Sequence, residues 1–245
     1  MVTVHGETER RNKVQAVGRK TLPTIRKEIL MNYYIAYGSN LYSEQFYHRC
    51  PDAELVSSGV LRDYILAFCG SNGNAFLTVK KQSGCAVPVA VYRISPRDER
   101  SLDRYEGYPN FYIKTQAVVE TDTGKKLKGM MYVMKEQPYA YPSESYFHTC
   151  SMGYQELGFP VDVLEKAISY LETSSAVGHN LQFYRKRVGY SQSKLERLCG
   201  FSKGKICKLE TGERDLRRVS ADVYITLKRN LRFDDSYIFL ENPRN

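Results

Sequence analysis

No run of 18 or more apolar residues occurs in the chain, so no membrane-spanning helix can be read from it. The N-terminus is basic but lacks the apolar core of a secretory signal. Six cysteines (Cys50, Cys69, Cys85, Cys150, Cys199 and Cys207) are scattered without a C-x-x-C pair. That argues against a zinc site and against the disulfide framework of a secreted domain. The four histidines (His5, His48, His148 and His179) have no ligand-like spacing. Repeats and low-complexity tracts are also missing. These absences point to a reducing cytoplasm and to a protein without a structural metal.

What is present is enough for a substantial core. The chain has 245 residues and 42% hydrophobic content, which suits one or two domains. Its formal charge of +9 is unevenly spread. Residues 1–30 carry 7 basic and 3 acidic side chains, residues 31–179 carry 14 and 16, and residues 180–245 carry 15 and 8. The middle resembles an ordinary enzyme domain in charge. The cationic C-terminal part suggests a polyanionic partner.

Residues 1–30 are polar and without a period, and read as a basic mobile extension. Met31, directly before the first strand-like run, is a candidate start of translation. Over 31–172, the runs NYYIAY, LVSSGVLRDYILAFCG, NAFLTVKK, VPVAVYRI, FYIKTQAVVET and KLKGMMYVMK are rich in β-branched and aromatic residues. GSNGN and TDTGK are hairpin signals. SPRDERSLDRYEG reads as a short helix with Ser95 as N-cap, Pro96 in the first turn and Gly107 as its stop. Two more helices are expected near 143–156 and 160–171. This order predicts a small mixed barrel or a curled sheet. The short polar stretch over 173–180 reads as a linker. Beyond it, over 181–245, the periodicity is helical.

Two segments of the first domain carry chemistry. In YYIAYGSNLYSEQFY (33–47), a buried strand stops at Gly38, Ser39 and Asn40 before a helix. This is either a plain turn or a nest of backbone N–H groups for a carboxylate or phosphate. Ser39 has neither the G-x-S-x-G context nor a histidine placed to make it a nucleophile. In LDRYEGYPNFY (102–112), Glu106 ends the short helix, where the dipole disfavours a negative charge. Tyr105, Tyr108, Phe111 and Tyr112 could add apolar surface around it. Glu106 is then either a proton shuttle of raised pKa or an exposed helix-end carboxylate.

The ordered set YGSNL (37–41), SLDRYEG (101–107), FYIKTQAVV (111–119), YVM (132–134) and PSESY (142–146) resembles the γ-glutamylcyclotransferase superfamily. MG at 152–153 and GFP at 158–160 fit its spacing, and the resemblance covers about 32–170. It implies cleavage of a γ-glutamyl amide to 5-oxoproline and a free amine, by attack of the substrate's own α-amine. It further implies Glu106 as the general acid/base, and Tyr37, Gly38, Ser39, Asn40 and Leu41 against the substrate. Tyr112 and Tyr146 match tyrosines near the pocket, with Tyr146 placed to hydrogen-bond Glu106 or the substrate. No metal or organic cofactor is implied. The strand VPVAV (87–91) departs from the family in having Pro88 and Val89 where tryptophan and glycine are common. Pro88 predicts an edge position or a bulge, and the departure leaves room for a binding pocket without turnover.

The stretch GYSQSKLERLCGFSKGKICKLETGERD (189–215) keeps helical spacing on both sides of Gly200, with Leu195, Leu198, Ile206 and Leu209 able to pack two helices together. Ser202 is the expected cap of the second helix. The pattern resembles the λ-repressor/Cro-like helix-turn-helix family over about 180–240, including helices at 181–188 and 218–232. The resemblance implies phosphate contact at Gln192 and a recognition helix carrying Ser202, Lys203, Lys205 and Lys208. DNA is the implied partner, with a homodimer expected; a protein-binding or dimerising helical pair is the alternative. Glu196 stands where the family has alanine, so it must bend outward, meet a cation or widen the helix crossing. Gly204 weakens the second helix. The fold expected is therefore α+β: a small mixed-sheet barrel of γ-glutamylcyclotransferase type followed by an all-α helix-turn-helix domain. The function expected is a cyclotransferase with an attached DNA-binding unit. The alternative is a transcription regulator whose first domain senses a γ-glutamyl metabolite.

Overall fold

The computed structural model describes residues 32–240. The expected basic extension over 1–30 and the reading of Met31 as a start lie outside the described residues. Five strands, Asn32–Ala36 (β1), Glu54–Ser71 (β2), Asn74–Ile94 (β3), Tyr112–Thr121 (β4) and Lys126–Met134 (β5), close a barrel in the order β1-β3-β2-β4-β5. All neighbours are antiparallel except β1 and β5, which run parallel with Tyr34 opposite Met130. The barrel is thus mixed, as the alternation of strand and helix signals indicates.

NAFLTVKK and VPVAVYRI, expected as separate strands, are two parts of one continuous β3. The register with β2 jumps from Arg62–Ala86 to Tyr64–Lys81, so residues 82–85 bulge out opposite Asp63. Asp63 (φ 62°) and Gly84 (φ 78°) both take left-handed backbone there, and the Asp63 carboxylate accepts the Gly84 N–H at 2.9 Å. Pro88 is not at this bulge. It pairs with Val60 of β2, just beyond the last β1–β3 pair, Ala36 with Ala90. The β1 ladder has ended at that point, so the proline sits on a locally free side of the strand.

The β3 residues Val87, Val89, Ala90, Val91 and Tyr92 are all buried. One face fills the barrel, and the other is covered by the helix Ser43–Arg49 (α1), whose Phe46 ring lies 4.4 Å from that of Tyr92. The helix Pro96–Tyr105 (α2) starts in a capping box. Ser95 accepts the Asp98 N–H, and the Asp98 carboxylate accepts the Ser95 N–H, each at 3.1 Å. It ends with Glu106 as its C-cap and Gly107 at φ 63°, so the local sequence fixes where the carboxylate leaves the helix. Helices Glu144–Glu156 (α3) and Asp162–Leu171 (α4) follow.

The stretch 173–180 is not a linker. Thr173 caps a helix, Ser174–Arg187 (α5), that runs straight through it. Its small residues serve close packing instead of slack. A Cβ on Gly178 would lie 2.5 Å from the carbonyl oxygens of Leu209 and Glu210. Helices Gln192–Cys199 (α6), Lys205–Glu210 (α7) and Ala221–Leu231 (α8) complete a second core around Val177, Leu181, Leu195, Ile206, Leu209 and Leu227. The two cores are joined through Asn180, which is fully buried. Its side chain accepts the Tyr139 N–H at 2.6 Å and donates to the carbonyls of Tyr139 (2.9 Å) and Tyr237 (2.8 Å).

Candidate active site

β1 leads directly into the Gly38 loop. Ser39, Asn40 and Leu41 form one tight 3-10 turn, with the Leu41 N–H bonded to the Gly38 carbonyl at 2.9 Å. The N–H groups of Ser39 and Asn40 open that turn, so they take no part in its internal bonds. The end of α2 brings Glu106 against this loop. The Asn40 side-chain amide donates to the Glu106 carboxylate and to the Tyr34 hydroxyl, both at 2.8 Å. Sequence positions 66 residues apart thus meet in one hydrogen-bonded unit.

Gly38, Ser39, Asn40, Glu106, Tyr112 and Tyr146 border an inner chamber of about 30 Å³. Burial is the main cause that pushes the Glu106 carboxyl up to about 7, against the opposing pull of the Asn40 hydrogen bond and the Arg49 charge. Burial likewise drives the hydroxyls of Tyr34, Tyr37, Tyr112 and Tyr146 upward, so they stay protonated around neutrality. Gly38 borders the chamber beside Leu77 and Tyr146. A Cβ there would point at Leu77 (3.5 Å) and at the Tyr146 hydroxyl (3.6 Å).

The expected residues divide into three groups. Glu106, Gly38, Ser39, Asn40, Tyr37, Tyr112 and Tyr146 all come together. The Tyr146 hydroxyl oxygen accepts the Leu77 N–H at 3.1 Å instead of bonding Glu106, while Tyr112 donates to the Leu77 carbonyl at 2.8 Å. The two tyrosines clamp one backbone unit of β3 and are fixed by it. Tyr37 donates to the Tyr132 carbonyl at 2.6 Å. Leu41 is buried but does not border the chamber; it packs under α3 at Gly153, where a Cβ would lie 2.6 Å from the Leu41 carbonyl carbon. Phe111 and the half-exposed Tyr105 border an outer cleft together with Glu106, whereas Tyr108, 41% exposed, borders neither space.

Sequence reading missed Tyr34 and Arg49. The Arg49 guanidinium donates to the Asn40 Oδ1 and lies 3.4 Å from the centre of the Tyr105 ring. It therefore fixes which way the Asn40 amide faces, with the NH₂ toward Glu106. In the sequence Arg49 is only a basic residue in the last turn of α1, a common complement to the helix dipole.

In the helical part, the first residue of α6, Gln192, donates to Glu210 at 2.8 Å, beside the buried Arg185–Glu210 ion pair. Ser202 does not cap α7. Gly204 (φ 84°) occupies that position, and α7 begins at Lys205, so Lys203 precedes the helix instead of lying on it. The cap is supplied by Glu196, whose carboxylate accepts the Ile206 N–H at 3.1 Å. Glu196 thus neither bends outward nor meets a cation: it is buried and satisfied by a free helix N–H. The Lys205 ammonium lies 4.1 Å from the centre of the Phe201 ring, and Lys208 pairs with Glu213 at 2.9 Å. Leu198, expected between the helices, is 48% exposed.

A family profile described as "Gamma-glutamyl cyclotransferase, AIG2-like" matches residues 34–148. Among curated proteins, "Gamma-glutamylcyclotransferase" of Homo sapiens is 31% identical over 141 residues, 54% of this chain and 75% of that protein. The Bos taurus protein of the same name is 30% identical with the same coverage. A solved structure described as "Gamma-glutamyl cyclotransferase" superposes with a TM-score of 0.52 and 29% identity, covering 56% of this chain and 86% of the other. The barrel domain thus belongs to an enzyme class. The chain is a member of the γ-glutamylcyclotransferase family.

Proposed function

We propose that the protein cleaves a γ-glutamyl amide to 5-oxoproline and a free amine, with Glu106 as the catalytic acid/base. The observation that carries this reading is the Glu106 carboxyl, pushed up to about 7 and held at 2.8 Å by Asn40 in the chamber beside Gly38–Asn40. A carboxylate of that pKa accepts a proton from an ammonium and returns it to a leaving nitrogen near neutral pH. The substrate α-nitrogen attacks the γ-carbonyl carbon, and the new C–N bond closes a five-membered lactam. The γ-amide C–N bond then breaks. The α-ammonium loses two protons in all, and both end on the released amine. Glu106 relays them, and the N–H groups of Ser39 and Asn40 serve the carbonyl oxygen as it gains negative charge. Holding the substrate bent removes much of the entropy cost of ring closure.

Incubation with a panel of γ-glutamyl amides tests this. 5-Oxoproline should accumulate with wild-type protein and not with Glu106→Gln. Tight binding without product in the wild type would favour a metabolite sensor instead.

The second reading concerns residues 181–245, for which we infer a helix-turn-helix that binds DNA as a homodimer. Its support is the packing of α6 against α7 through Leu195, Ile206 and Leu209, with Lys203 and Lys208 on the exposed side. Cationic side chains there suit phosphate contacts. A salt-dependent mobility shift that disappears in Lys203→Glu/Lys205→Glu/Lys208→Glu supports it. Retained binding overturns this placement of the DNA-facing surface.

A further inference from the structure

The inner chamber opens into a larger cleft of about 350 Å³, and the character of the two spaces differs sharply. The inner one is ringed by hydroxyls, backbone amides and Asn40. The outer one is walled by Phe76, Tyr105, Phe111 and Tyr146, with Glu106 at the seam between the two. Its aromatic walls are ordered by edge-to-face contacts. The Phe76 ring stands at 86° to Tyr146 with centres 5.0 Å apart, and at 87° to Phe111 with centres 6.1 Å apart. In a reaction at Glu106, the polar glutamyl end suits the hydroxyls and amides at the chamber mouth, with only its tip in the chamber's about 30 Å³, and the leaving amine then lies along the aromatic cleft.

Charge decides what that amine can be. Neither a lysine nor an arginine lines the outer cleft among the described residues; Glu106 is the only charged side chain on it. The nearby cation, Arg49, is turned away. Its guanidinium lies against the Tyr105 ring and donates to Asn40, and it borders neither space. An amino acid as leaving group would bring a carboxylate into aromatic surroundings, next to Glu106 and without a counter-ion.

We propose that the cleft selects an aromatic amine that carries no carboxylate, an arylalkylamine, as the leaving group; this rests on the cyclotransferase reading above. Phe76 and Phe111 are the specificity-determining residues. They supply flat apolar surface for the ring of the amine, and Tyr105 closes the outer side.

Four substrates separate the two features: γ-glutamyl-phenethylamide, γ-glutamyl-phenylalanine, γ-glutamyl-ethylamide and γ-glutamyl-alanine. The first two differ by a carboxylate alone, and the first and third by an aromatic ring. With the full chain, kcat/KM for the phenethylamide should exceed that for γ-glutamyl-phenylalanine and that for the ethylamide, each by at least about tenfold. Phe76→Ala should shrink the phenethylamide-to-ethylamide ratio toward one, whereas Phe76→Leu, which keeps apolar bulk, should retain most of it. Equal or better turnover of the carboxylate-bearing substrates overturns the proposal and leaves the cyclotransferase reading standing. An unaltered ratio in Phe76→Ala overturns the role of the aromatic wall. Absence of 5-oxoproline from all four refutes both readings together.

Discussion

Glu106→Gln separates the chemical role of the carboxyl from its cost to the fold. The glutamine keeps an acceptor oxygen for the Asn40 amide, which now donates to the Glu106 carboxylate at 2.8 Å. What the substitution removes is the charge. The carboxyl rises from 4.5 to about 7 because burial opposes ionisation. Raised pKa in an acid means the folded state resists losing the proton. Below pH 4.5 the group is protonated both folded and unfolded, and no cost exists. Between 4.5 and about 7 the unfolded chain ionises first, so wild-type stability falls as pH rises. Above that range the loss is constant, about 1–3 kcal/mol once the partial exposure of the side chain is allowed for. Urea denaturation at pH 5 and pH 8, followed by near-ultraviolet circular dichroism, should show the variant gaining on wild type by about that amount at the higher pH. The same variant should lose about 10²–10⁴ in kcat. The wild-type kcat/KM should climb with pH to a midpoint of about 7, where the base form of Glu106 becomes abundant. A stability difference that does not change between pH 5 and pH 8, or a rate profile with its limb near 4.5, would refute the argument.

Three further substitutions test other parts of the structure. Arg49→Met removes the charge that opposes the rise at Glu106 and frees the Asn40 amide to turn, so the rising limb of the pH–rate profile should move upward while kcat falls. An unmoved limb would limit Arg49 to packing. Gly153→Ala places a Cβ 2.5 Å from the Tyr42 nitrogen and should cost about 1–3 kcal/mol by pushing α3 off the loop, with kcat falling alongside, as thermal unfolding and rate assays will show. Glu196→Ala strips the cap from α7 and should cost about 1 kcal/mol, read as faster amide exchange at Ile206 with 5-oxoproline formation unaffected.

Much of the barrel is legible because its strands are runs of β-branched and aromatic side chains, and α2 because its capping box and Gly107 are local signals. The Gly38 loop and Glu106 are legible through an ordered motif. Other features depend on residues distant in the chain and leave no local trace. Arg49 orients Asn40 only because α1 packs beside α2. Glu196 is an unfavourable choice when read within α6, and becomes a cap only once α7 lies across it. The residues of 173–180 are small for the sake of a helix contact, and small residues in sequence look the same whether they pack tightly or form a loop. The single β3 strand looks like two in the sequence because the bulge at 82–85 interrupts its alternation.

Asn180 has a mechanical consequence. With both ends of its amide committed across the boundary between the cores, Asn180 ties the barrel to the helical bundle at a fully buried point. They should tumble with a single correlation time, so any macromolecule gripped by the helices would hold the mouth of the barrel at a fixed bearing.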